Sequence, residues 1–190
     1  MTLVNPTLDE EYFTSEQVLD RHDVVFVDSC AFRNDGRFIK YKIDEQNSFI
    51  SVFSYDNVFT VQGVIEEIRY MRRDFIKRFK NAYDRKSRKD LSSQDLIDVI
   101  DRSLNFIKRK KFSPRDRSQY DSLFELYKAF TLAIPRLKGD KQVRKERHTD
   151  EQLASALLYN SVFTGQNTAL LTSDTDFVGL LSVVPILVAS

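Results

Sequence analysis

The sequence predicts an α/β fold whose mostly parallel sheet is covered by helices. Three observations lead there: short continuous apolar runs rich in β-branched and aromatic residues, longer stretches with helical periodicity between them, and their order, strand, helix, strand, helices, strand, strand. A chain of 190 residues with 42% hydrophobic content can bury one sizeable core, so residues 1–190 are expected to form a single domain.

The first strand is expected over Asp23 to Asp28, around Val24-Val25-Phe26-Val27, and it ends abruptly at an acid. Asn57 to Val61 and Ala169 to Thr172 are the second and third. Val183 to Val188 is the fourth, tolerating Pro185 only near an edge or at its start. After the second strand, Val64, Ile68, Met71 and Phe75 recur at helical spacing and form one apolar stripe. On a wheel of roughly 100° per residue, Glu66 falls opposite the stripe, toward water, whereas Glu67 lies at its rim. Leu91 to Phe112 and Arg117 to Ile134 are further helical patterns, with Ser92 or Ser93 as a cap and Pro114 and Pro135 as breaks. They form the body of a basic helical insertion at about 80–148. Thr149-Asp150-Glu151-Gln152 has the layout of a capping box, and the helix it opens should bury Leu153, Ala154, Leu157 and Ser161, with Asp150 heading that face.

Several classes are excluded. Cys30 is the only cysteine, so an internal disulfide and a cysteine-rich zinc site are both ruled out, and any catalytic metal must be held by oxygen or histidine. No apolar run approaches the roughly 20 residues that span a bilayer, and Met1 to Glu11 lacks the layout of a signal peptide; a cytoplasmic protein without a membrane partner is expected. The five glycines form no phosphate-cradling loop. The net charge of +1 hides uneven placement. Between Arg69 and Lys89 ten Lys or Arg meet only Asp74 and Asp84; Arg136 to His148 is a second basic stretch and Lys108-Arg109-Lys110-Lys111 a third.

Ligands of parallel α/β sheets collect outside the carboxyl ends of the strands. Asp28 ends the first strand and Asp174 follows the third, while Asp150 opens the helix leading into that third strand. Carboxylates gathered in one place repel one another unless a cation joins them, and Mg²⁺ or Mn²⁺ is the hard ion suited to such ligands. Taken singly, each acid also has a plainer role: a strand end, an ion pair, a helix N-terminus, a turn. By the same standard His22 and His148 are surface or capping groups, Cys30 a small buried hydrophobe, and Phe79 and Tyr83 packing residues of the insertion.

Taken together, the acids fall into motifs. Val25-Phe26-Val27-Asp28-Ser29 resembles the opening strand and first acid of PIN-domain nucleases, and Val64-Ile65-Glu66-Glu67-Ile68 resembles their second motif, in a register that selects Glu67. Asp150-Glu151-Gln152-Leu153-Ala154-Ser155-Ala156 is similar to the third, an acid opening a small-residue helix. Leu171-Thr172-Ser173-Asp174-Thr175-Asp176-Phe177 is similar to the fourth. Haloacid-dehalogenase-like phosphatases also begin from an Asp after the first strand, but carry a second Asp two residues on, where this chain has Cys30.

The PIN resemblance implies a three-layer α/β/α sandwich with a central sheet of four or five strands. It implies catalytic acids at Asp28, Glu67, Asp150 and Asp174, which with Asp176 hold one or two Mg²⁺ or Mn²⁺ ions, and orienting hydroxyls at Ser29, Thr172 and Ser173. The implied activity is that of a metal-dependent ribonuclease, an endonuclease on single-stranded or loop RNA. A DNA-directed 5′-nuclease-like enzyme and a catalytically inactive nucleic-acid-binding scaffold are the alternatives. Arg69, Arg72, Arg73 and Lys77 would then hold phosphates without reading sequence, and Tyr70, Phe79 and Tyr83 could stack on unpaired bases. Glu67 and Asp150 are farther apart than in compact VapC-like toxins of the family. An antitoxin or other protein regulator and a homodimer stay open as partners.

Overall fold

Val24–Val27 form a strand, β1, with all four residues buried, and among the described residues it is the middle of a three-stranded parallel sheet. The computed structural model describes residues 15–32, 53–74, 76–77, 92–133 and 148–172. On one side β2 (Val58–Phe59) pairs Val25 with Val58 and Phe26 with Phe59; on the other β3 (Thr168–Leu171) runs in register from Val24 opposite Thr168 to Val27 opposite Leu171. A strand with neighbours on both sides and helices on its faces must be apolar throughout, which explains the unbroken run of Val and Phe. β2 is shorter than the expected Asn57 to Val61, because beyond Phe59 the chain pairs elsewhere. Thr60 donates to Lys110 O at 2.9 Å, Phe112 donates to Thr60 O at 2.7 Å, and the Thr60 hydroxyl reaches back to Val27 O at 2.9 Å. The expected strand at Val183 to Val188 lies outside the described residues, as do Phe75, Phe79, Tyr83, Ile134 and Pro135.

α1 (Ser15–Arg21) enters the sheet, and its end is tied by two side chains. His22 Nδ1 lies 2.8 Å from Val18 O, the capping role expected of it, and the Asn57 amide donates to Leu19 O and His22 O at 2.8 and 2.9 Å. α2 (Gln62–Asp74) buries Gly63, Val64, Ile65 and Ile68, while Glu66 accepts from Gln62 at 2.8 Å. α3 (Ser93–Arg109) starts with a true capping box in which Ser92 and Asp95 each accept from the other's backbone N–H. The Ser92 bonds hold the Asp95 carboxyl below its ordinary value. α4 (Arg117–Ala133) packs chiefly on α5 (Thr149–Leu158), and α3 on α2. Ile97, Ile100, Leu104, Ile107 and Tyr127 of the helices expected as an insertion join the same buried core as β1.

Phe112, in the turn between α3 and α4, carries that core across to the sheet. Its ring meets Phe26 edge-on at 5.2 Å and also contacts Tyr120 and Tyr159. α5 buries Leu153, Ala154 and Leu157 as expected, but Ser161 is exposed. After Leu158 the chain widens into a π turn, Tyr159–Phe163, whose extra residue rotates Ser161 off the buried face.

Two buried phenols make contrasting predictions. The Tyr159 hydroxyl accepts from Asp116 N at 2.8 Å, whereas the fully buried Tyr127 hydroxyl has no hydrogen-bond partner among the described residues. In urea unfolding, Tyr159→Phe is expected to lose about 1 kcal/mol and Tyr127→Phe to gain about 1 kcal/mol, since an unpaired buried hydroxyl costs more than its removal. Burial also pushes the Tyr127 phenol up and the Tyr120 phenol up to about 12. The unfolded chain ionises these groups near the ordinary value of 10.0 while the fold keeps them neutral. Stability is therefore retained below that pH and falls as pH rises toward about 12. Tyr120→Phe should move the alkaline unfolding midpoint upward; an unchanged midpoint contradicts the assignment.

Candidate functional site

Asp28 is the first residue past β1, where the backbone leaves the sheet. Its N–H still pairs with Leu171 O at 3.1 Å, so its position is fixed by β3, and the residue is buried. The chain then turns tightly through a 3₁₀ segment, Ser29–Phe32, which folds two donors back onto the carboxylate. Ser29 N donates to Asp28 Oδ1 at 2.5 Å and the Cys30 thiol donates to Oδ2 at 2.7 Å. The Thr172 hydroxyl, just beyond β3, donates to the same Oδ2 at 2.9 Å and lies 2.9 Å from the Cys30 sulfur. Cys30, expected as a small buried hydrophobe, is half-buried and serves as a donor instead.

Glu67 comes to this site from α2, on the rim of the apolar stripe. The Ser29 hydroxyl donates to Glu67 Oε2 and the Thr149 hydroxyl donates to Oε1 at 2.8 Å. Ser29 thus bonds both acids, Asp28 through its backbone and Glu67 through its side chain. Each of the four carboxylate oxygens accepts a hydrogen bond, and every donor is a hydroxyl, a thiol or a backbone N–H. Among the described residues no Lys, Arg or His pairs with either acid. Two carboxylates held close with neutral donors alone leave negative charge that a hard cation would balance.

The first turn of α5 departs from expectation. Thr149 and Gln152 do not form a capping box: the helix starts without a side-chain cap, after His148 in the left-handed region at φ 48. Thr149 gives its hydroxyl to Glu67, and Gln152 Oε1 accepts from Gly63 N at 2.9 Å, satisfying one of the orphan N–H groups of α2. Forgoing the cap costs about 1 kcal/mol, and the left-handed backbone of His148 about as much again. The approach of the two helices requires glycine at position 63, where a Cβ would stand 2.6 Å from Thr149 Oγ1 and 2.9 Å from its Cα.

Asp150, beside Thr149, is exposed, whereas Glu151 is buried with an oxygen 3.5 Å from His148 Nδ1. Among the described residues no three His, Cys, Asp or Glu side chains gather closely enough to hold a metal. Ser173, Asp174 and Asp176 lie outside the described residues. Of the expected hydroxyls, Ser29 and Thr172 stand at the site. Thr149 and Cys30 bond the two acids, while Gly63 and Gln152 join the helices beside them; the sequence alone assigns none of the four to the site. Only Gly63 carries a signal, as a glycine near the start of a helix in a chain with five glycines.

Arg69, Arg73 and Lys77 are exposed on or just beyond α2. Arg72 is not open in the same way: its guanidinium grips Asp101 of α3 through two bonds of 2.5 and 2.6 Å, which hold its pKa above the ordinary value. The basic residues expected to bind phosphate therefore divide into one clamp, Arg72, and the surface cations Arg69, Arg73 and Lys77. A groove of about 490 Å³ runs between α2 and α3 along Glu66, Arg69, Arg73 and Leu104, with the Arg72–Asp101 pair in its wall. Compared with protein-family models, curated proteins and solved structures, the chain matches none.

Gly63→Ala tests the helix contact directly. Alanine normally stabilises a helix over glycine by up to about 1 kcal/mol, yet here the overpacked Thr149 contact should reverse the sign and cost about 1–3 kcal/mol. A stabilised variant in thermal or urea unfolding would contradict the observed approach.

Proposed function

We propose that this chain is a metal-dependent ribonuclease of the PIN type, cutting RNA internally through a site built on Asp28 and Glu67. One observation carries the proposal: two carboxylates from different elements, bridged by Ser29 and, among the described residues, supplied only with neutral donors. The donor set suits Mg²⁺ or Mn²⁺, because carboxylate and hydroxyl oxygens are hard ligands. Asp28 and Glu67 would hold the ion, with Asp150, Asp174 and Asp176 as the further candidate ligands. When bound, such an ion activates water and stabilises charge on the scissile phosphate. The finer architecture proposed with this function is a three-layer α/β/α sandwich with a central sheet of four or five strands.

The chain's own residues supply orientation and phosphate binding. Ser29, Thr149 and Thr172 fix the carboxylates by hydrogen bonds to Glu67 and Asp28. Arg69, Arg73 and Lys77 offer exposed positive charge along α2, and Tyr70, 45% exposed, lies one turn beyond Glu67. That spacing suits a single strand whose phosphates meet the cations and whose unpaired base lies on the ring.

Purified protein with Mn²⁺ or Mg²⁺ is expected to cut labelled single-stranded RNA, and Asp28→Asn, Glu67→Gln or Asp174→Asn to abolish cutting without loss of folding. Equal cutting of DNA would favour the DNA-directed alternative, and binding without metal-dependent cutting the inactive scaffold. Removing Arg69, Arg73 and Lys77 together should lower RNA affinity and flatten the log–log slope of its salt dependence by about 0.7 for each phosphate no longer neutralised. Arg72→Ala should instead act on stability, costing about 0.5–1 kcal/mol by breaking the partly exposed pair with Asp101. RNA affinity unaffected by the triple change would leave those cations as a solvated face.

A further inference from the structure

A helix that begins with Thr and has Gln three residues later ordinarily turns both side chains onto its own backbone. α5 turns both away. Its first turn is pressed against α2 at Gly63, so closely that any β-carbon there would collide with Thr149. The two side chains then divide the contact between them. Gln152 takes the Gly63 N–H, which joins the helices backbone to side chain; Thr149, buried between them, gives its hydroxyl to Glu67.

The Gln152 bond is sufficient to link the helices, whereas the Thr149 bond reaches an acid of the candidate site. Without it, the Glu67 side chain would be held at Oε2 alone, by Ser29, and could swing about that single bond. With it, the carboxylate is fixed at both oxygens, from the turn after β1 on one side and from α5 on the other. Each oxygen keeps a second lone pair for a ligand. Thr149 also precedes Asp150, so the residue that fixes one candidate ligand is covalently next to another.

We propose that Thr149 is a positioning residue for Glu67, and that Gly63 exists to admit it. This rests on the acidic metal site proposed above. A hydroxyl holding a ligating carboxylate sets its direction and thereby the affinity of the ion it holds, an effect commonly worth roughly tenfold to a hundredfold in this kind of outer-shell contact.

The test is the Mn²⁺ affinity of the full chain, measured by calorimetry, alongside thermal unfolding in metal-free buffer. Thr149→Val is expected to weaken Mn²⁺ binding by about tenfold or more, and Thr149→Ser, which keeps the hydroxyl, to restore it to within about twofold of the parent. Thr149→Ala removes the same hydroxyl without placing a second methyl there, and should likewise weaken Mn²⁺ binding by about tenfold or more. Gln152→Leu, which breaks the link to Gly63 and leaves the Thr149 hydroxyl in place, should lower metal-free stability and leave Mn²⁺ affinity within about twofold. Mn²⁺ affinity unchanged in both Thr149→Val and Thr149→Ala overturns the positioning role while leaving the acidic site standing. Equal weakening in Thr149→Ala and Gln152→Leu, with equal loss of stability, also overturns it, since the contact would then be structural only. A parent protein that binds no Mn²⁺ overturns the acidic site and the positioning role together.

Discussion

The hydrogen bonds at the Glu67 carboxylate are the constraint from which the arrangement of the site follows. One oxygen accepts from Ser29, in the turn that follows β1, and the other from Thr149, in the first turn of α5; Glu67 itself belongs to α2. Three elements far apart in sequence are thereby registered on one side chain. The sheet supplies the fixed end of this arrangement, because Asp28 still pairs with Leu171 and accepts from Thr172. The helices supply the adjustable end, and Gly63 sets how near they come. A buried polar cluster of this kind is costly to assemble, and its cost is visible in the uncapped start of α5 and the left-handed backbone of His148. Natural chains tolerate such local losses where a site requires them.

Elsewhere the chain follows the ordinary rules. α3 is capped by its own Ser92 and Asp95, and its apolar residues enter the core beside β1. Phe112 and Tyr159 link the sheet to α4 through ring contacts, with the Tyr159 hydroxyl satisfied by Asp116. The Arg72–Asp101 clamp fixes α3 against the back of α2, so that the helix bearing Glu67 is held on two sides. Basic residues on one helix thus have different fates. Arg72 is consumed in the architecture, while Arg69, Arg73 and Lys77 face solvent.

Much of the fold was legible in sequence because strands buried on both faces must be continuously apolar. The run at Val24-Val25-Phe26-Val27 is legible that way, the half-buried β3 is legible from its apolar residues alone, and the parallel order follows from the helices between them. The end of β2 was not legible, since Thr60 leaves it to pair with Lys110 and Phe112, and no local pattern encodes a partner so distant along the chain. The choice of Glu67 over Glu66 followed from the helix wheel, and the two residues do take different surroundings: Glu66 bonds Gln62 on its own helix, Glu67 reaches the site. Thr149 and Gln152 misled because their spacing is that of a cap. What redirects them is the proximity of Gly63, a tertiary fact that only the packed helices reveal. Cys30 misled likewise, a thiol being apolar by composition and a donor only once Asp28 lies beside it.

A cation between Asp28 and Glu67 is the central claim, and anomalous diffraction from Mn²⁺-soaked crystals tests it most directly. The expected result is an anomalous peak bonded by a carboxylate oxygen of Asp28 and one of Glu67, absent from crystals of Asp28→Asn. No peak at that position at a Mn²⁺ concentration that saturates binding in solution, or a peak held wholly by other residues, would contradict it.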